Sequence, residues 1–428
     1  MAKRVIQKID GLRGEIKAPP DKSISHRALM FASIASGISR VKNLLYAGDT
    51  ISTMKAMKML GIDITEGKGE IIITGKGLRG LKEPLNVIDC GNSGTTSRLL
   101  SGILSGNDFF SVLTGDDSLR KRPMSRIINP LREMGTTIIA RQEDKYLPMA
   151  IKGGRLKGID YTIPISSAQV KSCLMLAGLY AKEESTITEP LKSRDHTERM
   201  LKAMGVDLKI NDTTVTIYPL DGELNPIDIT VPSDFSSAAF FIVISLIVPN
   251  SEIIIRDVLL NKTRTGFLDV IKMMGAPVKV ENTRDLSGET IGDIICKTAT
   301  NLKAIKIDKD MMPSMIDEFP ILCILATQAE GLTKIRGAEE LRVKESDRIM
   351  AMAKELSKMS VPVKEYKDGI DIVGKSDLKG ASLNSYGDHR IAMSMVVAGL
   401  ISEGDIIVDD CECVSISFPS FFDSLYGR

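Results

Sequence analysis

The sequence predicts an α/β protein of two domains, each made of three β-α-β-α-β-β repeats with buried helices and outer sheets. Three observations predict it. First, six segments open on small or charged polar residues and run straight into a short apolar helix: from Ser23 (SISHRALMFASIASG), Asn92 (NSGTTSRLLSGILSG), Ser166 (SSAQVKSCLMLAGLY), Ser236 (SSAAFFIVISLIVPN), Asp317 (DEFPILCILATQAEG) and Asp388 (DHRIAMSMVVAGLISEG). Their starts lie 69, 74, 70, 81 and 71 residues apart, close to the period of about 71 that six equal repeats of this chain require. Second, each of the first five repeats carries a further, amphipathic helix that ends in a Met-rich turn (KAMKMLGIDI, PLREMGTTI, LKAMGVDL, IKMMGAPV, ELSKMSVPV). Third, alternating β-branched stretches follow those turns, as in Ile71 to Gly75, Thr214 to Pro219 and Gly369 to Gly374, and read as strands.

The elements follow in order. The first helix of each repeat is apolar almost all round and must be buried, whereas the second keeps a polar face. Gly61, Gly135, Gly205 and Gly275 stand where a helix C-terminus needs a left-handed residue, and Ser360 replaces glycine in the fifth repeat. Six repeats exceed one core, so three and three is the natural grouping. The Pro-containing stretches Ile16 to Ser23 and Asn225 to Asp234 are the candidate crossovers. They predict a discontinuous domain of 1–19 and 231–428 and an inserted domain of 20–230, with the active site in the cleft between them.

Composition excludes several classes. With 56 Lys and Arg against 55 Asp and Glu, net charge is +1, without the cationic excess or basic tail of a nucleic-acid-coating protein. Six cysteines without paired CxxC spacing read as reduced thiols of a cytoplasmic chain. The N-terminal MAKRVIQKID alternates charged and apolar residues, and no export is expected. The longest apolar run, Ala238 to Val248, is broken by Ser245 and stopped by Pro249, short of the roughly 20 residues that span a bilayer. No membrane partner is expected.

Each repeat places its polar cluster at the start of a buried helix, where unpaired backbone N–H groups and the helix dipole favour anions. Taken singly, Ser23, Ser93, Ser166, Ser236 and Asp317 read as N-caps. Their neighbours add cations: Lys22 and Arg27, Arg98, Arg122, Lys171, Lys344 and Arg348, and Arg390. GNSGTTSR (Gly91 to Arg98) has the small residues of an anion cradle without the order of a P-loop, which disfavours a nucleotide triphosphatase. Lys344, Glu345 and Arg348 fall at an expected helix start, where two cations flank a carboxylate suited to general acid work. His26, His196 and His389 all lie inside these motifs. No HxxxH or Cys/His pair has ligand spacing, so neither metal nor cofactor is expected.

In this order and spacing, DKSISHRA, GNSGTTSR, RKRPM, SSAQVKS, SRDHTERM, DEFP, LRVKESDR and GDHRIAM resemble the 5-enolpyruvylshikimate 3-phosphate (EPSP) synthase family of enolpyruvyl transferases over nearly the whole chain. The resemblance implies two inside-out α/β barrel domains. It also implies transfer of the enolpyruvyl group of phosphoenolpyruvate to the 5-hydroxyl of shikimate 3-phosphate, by a monomer and through a tetrahedral intermediate. Lys22, Ser23, Arg27, Ser167, Gln169, Ser193, Asp317 and Lys344 are then the shikimate 3-phosphate contacts. Lys22, Gly94, Arg122, Gln169, Arg348 and Arg390 hold phosphoenolpyruvate, with Asn92 and Thr95 shaping the loop. Asp317 is similar to the family's base, Glu345 to its proton donor at C3, and Lys22 to the cation that assists proton traffic. Asp49, Asp388 and His389 stand behind them.

Two departures accompany the resemblance. Ser415 to Pro419 (SISFP) lacks the lysine that some relatives place near Ile416, and Leu99 follows Arg98 where many relatives have proline. Leu99, together with SRDHTE, SAQVK and NKTR (Asn261 to Arg264), leans to the family's second sequence class, and Ala168 stands where many relatives have a second serine, with Arg194 nearby to compensate. Gly94 is retained, so inhibition by glyphosate, a competitor of phosphoenolpyruvate, is expected. The nearest rival is the UDP-N-acetylglucosamine enolpyruvyl transferase, whose reactive loop cysteine is missing from GDDSLRKRP (Gly115 to Pro123). An RNA-end-processing or RNA-binding protein is disfavoured by 4% aromatic residues and no Trp. A non-catalytic anion-binding scaffold would tolerate loss of Asp317 or Glu345.

Overall fold

A computed structural model describes residues 3–427. The chain forms two compact units, one of residues up to Pro19 together with those from Pro232, the other of Pro20–Val231. Among the described residues each contains three sheets, and five of the six share one strand order. In the second repeat Ile88–Asp89 runs parallel to Phe110–Thr114, which pairs antiparallel with Tyr146–Lys152, itself antiparallel to Thr137–Ala140. The sixth sheet has three strands: Lys379–Asn384 lies parallel to Glu403–Asp409, and the N-terminal strand Arg4–Ile6 completes it antiparallel.

Two first strands are exchanged at the crossovers. Arg13–Ile16, which precedes the first helix in sequence, pairs in parallel with Glu252–Leu259 of the fourth repeat. Asp228–Thr230 takes its place beside Ser36–Lys42 in the first repeat. The prolines of both crossovers fit extended backbone that leaves a sheet, where a missing N–H costs nothing.

The helices that open the repeats, Lys22–Ile34, Gly94–Ser105, Ala168–Gly178, Phe235–Ile247, Phe319–Gln328 and His389–Gly399, are buried along nearly their whole length. Helices therefore form the inside, as their unbroken apolarity dictates. At Gly102 two of these helices approach closely: a Cβ there would stand 2.2 Å from the Cys173 carbonyl oxygen. Helix Gly94–Ser105 thus lies backbone to backbone against Ala168–Gly178, which sets their N-termini side by side. In the other unit, Phe418 and Phe421, 5.4 Å apart between ring centroids, pack on Phe240 and Phe241 at 5.9 to 6.2 Å. Ser417 and Phe418 of SISFP are thus buried, and half-buried Ile416, packed against the core, stands where some relatives have lysine.

All five second helices end in the same way. Gly61, Gly135, Gly205 and Gly275 have φ between +85° and +108°, and Ser360 has φ +65°. In each, the following N–H reaches back five residues, as from Ile62 to the Met57 carbonyl (3.1 Å) and from Val361 to that of Leu356 (3.1 Å), the Schellman closure.

The N-caps depart from expectation. Only Ser93 caps as read, taking the Thr96 N–H. Elsewhere the cap is Asp21, Ser167, Asp234 or Asp388, and Phe319–Gln328 is entered through the 3-10 turn Ile316–Glu318 without a side-chain cap. Aspartate wins because an ionised acceptor binds a first-turn N–H more strongly than a hydroxyl. Three helix N-termini are therefore already matched by a carboxylate, and anion binding falls to the arginines beside them. Among the described residues no helix is long and apolar enough to cross a membrane.

Candidate active site

In the unit Pro20–Val231, Lys22 is the first residue of its helix, and its ammonium meets Asp49 Oδ2 at 3.1 Å. Five residues on, Arg27 is 3% exposed. It donates to Thr197 Oγ1 (2.7 Å), Ser172 Oγ (2.8 Å) and the Ser23 carbonyl (3.0 Å), so it ties three helices together. His26 lies between Lys22 and Arg27, its Nδ1 2.7 Å from Thr53 Oγ1, and Thr53 continues to Thr96 (2.6 Å) and the cap Ser93 (2.7 Å). Burial first, then the two neighbouring cations, hold the His26 pKa well below 6.5.

The loop before helix Gly94–Ser105 is moulded by arginine. Arg122 donates from Nη1 to the Asn92 carbonyl (3.1 Å) and from Nη2 to the Asn92 side chain and to Ser118 Oγ (3.1 Å). Asn92 in turn donates to Asp116 (2.7 Å). Arg98 donates to the Gln169 side-chain oxygen, and Gln169 Nε2 donates to Thr95 Oγ1 (3.0 Å). Gly94, Thr95, Arg122 and Gln169 are therefore one cluster, and Arg98 joins it. The adjacency set at Gly102 explains why a loop at 92–95 meets a side chain at 169.

In the other unit Arg348 is 1% exposed and faces three carboxylates. It binds Asp388 through Nε (2.8 Å) and Nη2 (3.3 Å), Glu345 through Nη2 (2.7 Å) and Asp317 through Nη1 (3.5 Å). Burial opposes its charge, but Asp388, Glu345 and Asp317 outweigh that and raise its pKa. Arg390 donates to the Asp317 carbonyl (3.1 Å) and stands 3.6 Å from its Oδ2. Asp388 also caps helix His389–Gly399, which fixes Arg348 to a helix end. The five groups formally carry three negative and two positive charges, so the carboxylates compete with any further anion for the arginines. A carboxylate released from its arginine is suited to moving a proton.

Two expectations are corrected. Lys171 is no part of an anion trap: it is 1% exposed and pinned 2.7 Å from both Glu189 and Glu198. Lys344 does not open a helix; it follows the 3-10 turn Glu339–Val343, pairs with Glu340 at 3.2 Å, and the next helix starts at Arg348 with Asp347 as cap. Behind Asp317 the sequence reading missed a second cluster: Ser236 donates to Glu318, and Arg264 donates to Ser236 (2.7 Å). Burial raises the Glu318 pKa. NKTR carries Arg264, so the motif marked the place without revealing the partner. Ser167 caps its helix and Ser193 follows in a loop held by Glu189.

Buried helices whose starts gather arginines and proton-active carboxylates define an α/β enzyme that handles anions. The EPSP synthase (3-phosphoshikimate 1-carboxyvinyltransferase) family profile matches residues 6–425, and the chain belongs to that family. The 3-phosphoshikimate 1-carboxyvinyltransferase of Thermodesulfovibrio yellowstonii is 59% identical over 423 residues, 99% of this chain and 98% of the relative. That of Persephonella marina is 49% identical over 422 residues, 98% of each. An EPSP synthase structure from Acinetobacter baumannii aligns with TM-score 0.87 at 45% identity, covering 99% of this chain and 97% of that one. The enolpyruvyl transferase NikO from Streptomyces tendae shares the fold, with TM-score 0.79 at 15% identity over 99% of this chain and 96% of that one.

Proposed function

We propose that the chain transfers the enolpyruvyl group of phosphoenolpyruvate to the 5-hydroxyl of shikimate 3-phosphate, yielding 5-enolpyruvylshikimate 3-phosphate and inorganic phosphate. The observation that carries this is the Asp317–Glu345–Arg348–Asp388–Arg390 constellation in a chain that matches 3-phosphoshikimate 1-carboxyvinyltransferases end to end. Arg348 and Arg390, with Arg122 and the Gly94 loop, receive phosphoenolpyruvate; Lys22, Ser23, Arg27, Ser167, Gln169, Ser193 and Lys344 receive shikimate 3-phosphate. Once substrate anions engage the arginines, Asp317 takes the proton of the attacking 5-hydroxyl and Glu345 gives one to C3. In the second step Glu345 takes a proton back from C3 as the C2–O bond to phosphate breaks, the departing phosphate takes up the proton held by Asp317, and Lys22 and the arginines stabilise the departing charge. The reading includes a monomeric cytoplasmic enzyme with no nucleic-acid partner and no cofactor.

The test is phosphate release by purified protein. Release is expected with shikimate 3-phosphate plus phosphoenolpyruvate. Release only when UDP-N-acetylglucosamine replaces shikimate 3-phosphate overturns the reading.

A further inference from the structure

Apart from Ser193, the SRDHTER motif (Ser193 to Arg199) takes no part in the reaction as proposed, nor does Lys171, yet Lys171, Glu189 and Glu198 form a deeply buried charge cluster. Lys171 on helix Ala168–Gly178 lies 2.7 Å from Glu189, at the end of strand Ser185–Thr188, and 2.7 Å from Glu198 on helix His196–Ala203. All three side chains are at most 3% exposed. Burial opposes the ammonium, but Glu198 and Glu189 outweigh it and raise the Lys171 pKa, so Lys171 keeps its charge. A buried triad of this kind stabilises little against an apolar replacement, because desolvation offsets most of the attraction. A role in stability alone therefore leaves it unexplained.

Glu189 shows where its restraint is delivered. Its carboxylate accepts the Ser193 backbone N–H (3.2 Å) and the Ser193 hydroxyl. Two residues before Ser193, the loop is gripped again: Ser166 Oγ donates to the Leu191 carbonyl (2.6 Å) and accepts the Leu191 N–H (3.0 Å). Ser166 stands next to the cap Ser167. The segment 189–195 is thus clamped at Leu191 and Ser193, with the second clamp anchored through Lys171 to the helix that bears Ser167 and Gln169. Next to Lys171, Ser172 shares the Arg27 guanidinium with Thr197. Lys171 and Ser172 therefore both hold the motif's Thr197–Glu198 pair against helix Ala168–Gly178, and Arg27 ties the first helix to the same Ser172–Thr197 pair.

We propose that Glu189, anchored by Lys171, is a positioning residue for the shikimate 3-phosphate site: it fixes the Ser193 loop relative to Ser167 and Gln169. A carboxylate cannot itself attract a phosphate, so its contribution acts through Ser193 and not through contact with substrate. The inference rests on the proposed role of Ser193.

The experiment is steady-state kinetics on Glu189→Gln, Ser193→Ala and the double variant. Expected for Glu189→Gln is a KM for shikimate 3-phosphate about tenfold higher, with kcat and the KM for phosphoenolpyruvate changed less than about twofold. In the double variant that KM should be close to that of Ser193→Ala alone, since a residue acting through another is non-additive with it. A merely structural role lowers the folded fraction and apparent kcat without a selective KM effect, and that result overturns the proposal. Additive effects also overturn it. If Ser193→Ala leaves every constant unchanged, the reading of Ser193 itself fails and takes the inference with it. Should Glu189→Gln not fold, Ser166→Ala, which loosens the same loop at Leu191, must raise the same KM selectively; an unchanged KM there overturns the proposal.

Discussion

Replacing Gly94 by alanine should separate stability from substrate affinity. Gly94 is the first residue of helix Gly94–Ser105 and its φ is not left-handed, so the backbone accepts alanine. Fewer unfolded conformations then favour the fold by about 0.4–1 kcal/mol. The added Cβ, however, would stand 2.8 Å from Arg98 Nη1 and 3.5 Å from Arg122 Nη1. Carbon and nitrogen do not approach to 2.8 Å without a bond, so the Arg98 guanidinium must swing away from Gln169, to which that same Nη1 donates. In the folded chain the loss of that hydrogen bond opposes the entropic gain, so the melting temperature should hold or fall slightly. A displaced loop that misses one charge-assisted hydrogen bond to phosphoenolpyruvate loses about 1.5–3 kcal/mol, or roughly 10- to 150-fold in affinity, and the KM for phosphoenolpyruvate should rise by about that factor while the KM for shikimate 3-phosphate moves far less. Inhibition by glyphosate, a competitor for the same site, should weaken in parallel. An unchanged KM for phosphoenolpyruvate, or a fall of several degrees in melting temperature, would refute the reasoning.

Three further outcomes are expected. Ser360 pays a left-handed penalty that its four glycine counterparts avoid, so Ser360→Gly should stabilise by about 1 kcal/mol and Gly275→Ser, whose Cβ meets only Asn301 O at 3.5 Å, should destabilise similarly, both read by denaturant melts. The folded chain keeps His26 neutral, whereas the unfolded chain protonates it below about 6.5. Its contribution is therefore complete above that pH and is lost as pH falls, by up to about 1.4 kcal/mol per unit; His26→Asn should flatten this slope, and an equal slope in both proteins counts against it. Glu345→Gln should retain substrate binding yet slow proton exchange at C3 of phosphoenolpyruvate, as followed by deuterium incorporation, and wild-type exchange would remove Glu345 from the acid role.

Much of the fold was legible because the repeat is written in features that local physics reads directly. Apolar faces separate the inner helices from the outer ones, and glycine at 61, 135, 205 and 275 marks a left-handed turn whatever lies around it. Caps were legible only to within a residue or two, since Ser23 and Asp21 both suit a helix start and only the three-dimensional path decides between them. The arginine motifs were found, but their partners were not. Lys171 sits in SSAQVKS beside substrate residues, and nothing in that string shows that it faces away, toward carboxylates at 189 and 198. The same holds for Arg27, a predicted substrate contact whose guanidinium also ties Ser172 to Thr197. Pairings of this kind depend on packing distances such as the one that Gly102 sets, which carry no local signature.

The strand exchange imposes an order on synthesis. Residues 20–231 hold every strand their three sheets need, because Asp228–Thr230 closes the first of them. That unit has its full complement as soon as it leaves the ribosome. Arg13–Ile16 must wait for Glu252–Leu259, and Arg4–Ile6 for Glu403–Asp409. At about 5–20 residues per second, the N-terminal strands spend tens of seconds unpaired while a complete unit folds behind them. Their shortness and their charged residues, Arg4, Arg13 and Glu15, suit segments that must stay soluble and avoid mispairing until the last strand of their own sheet has been made.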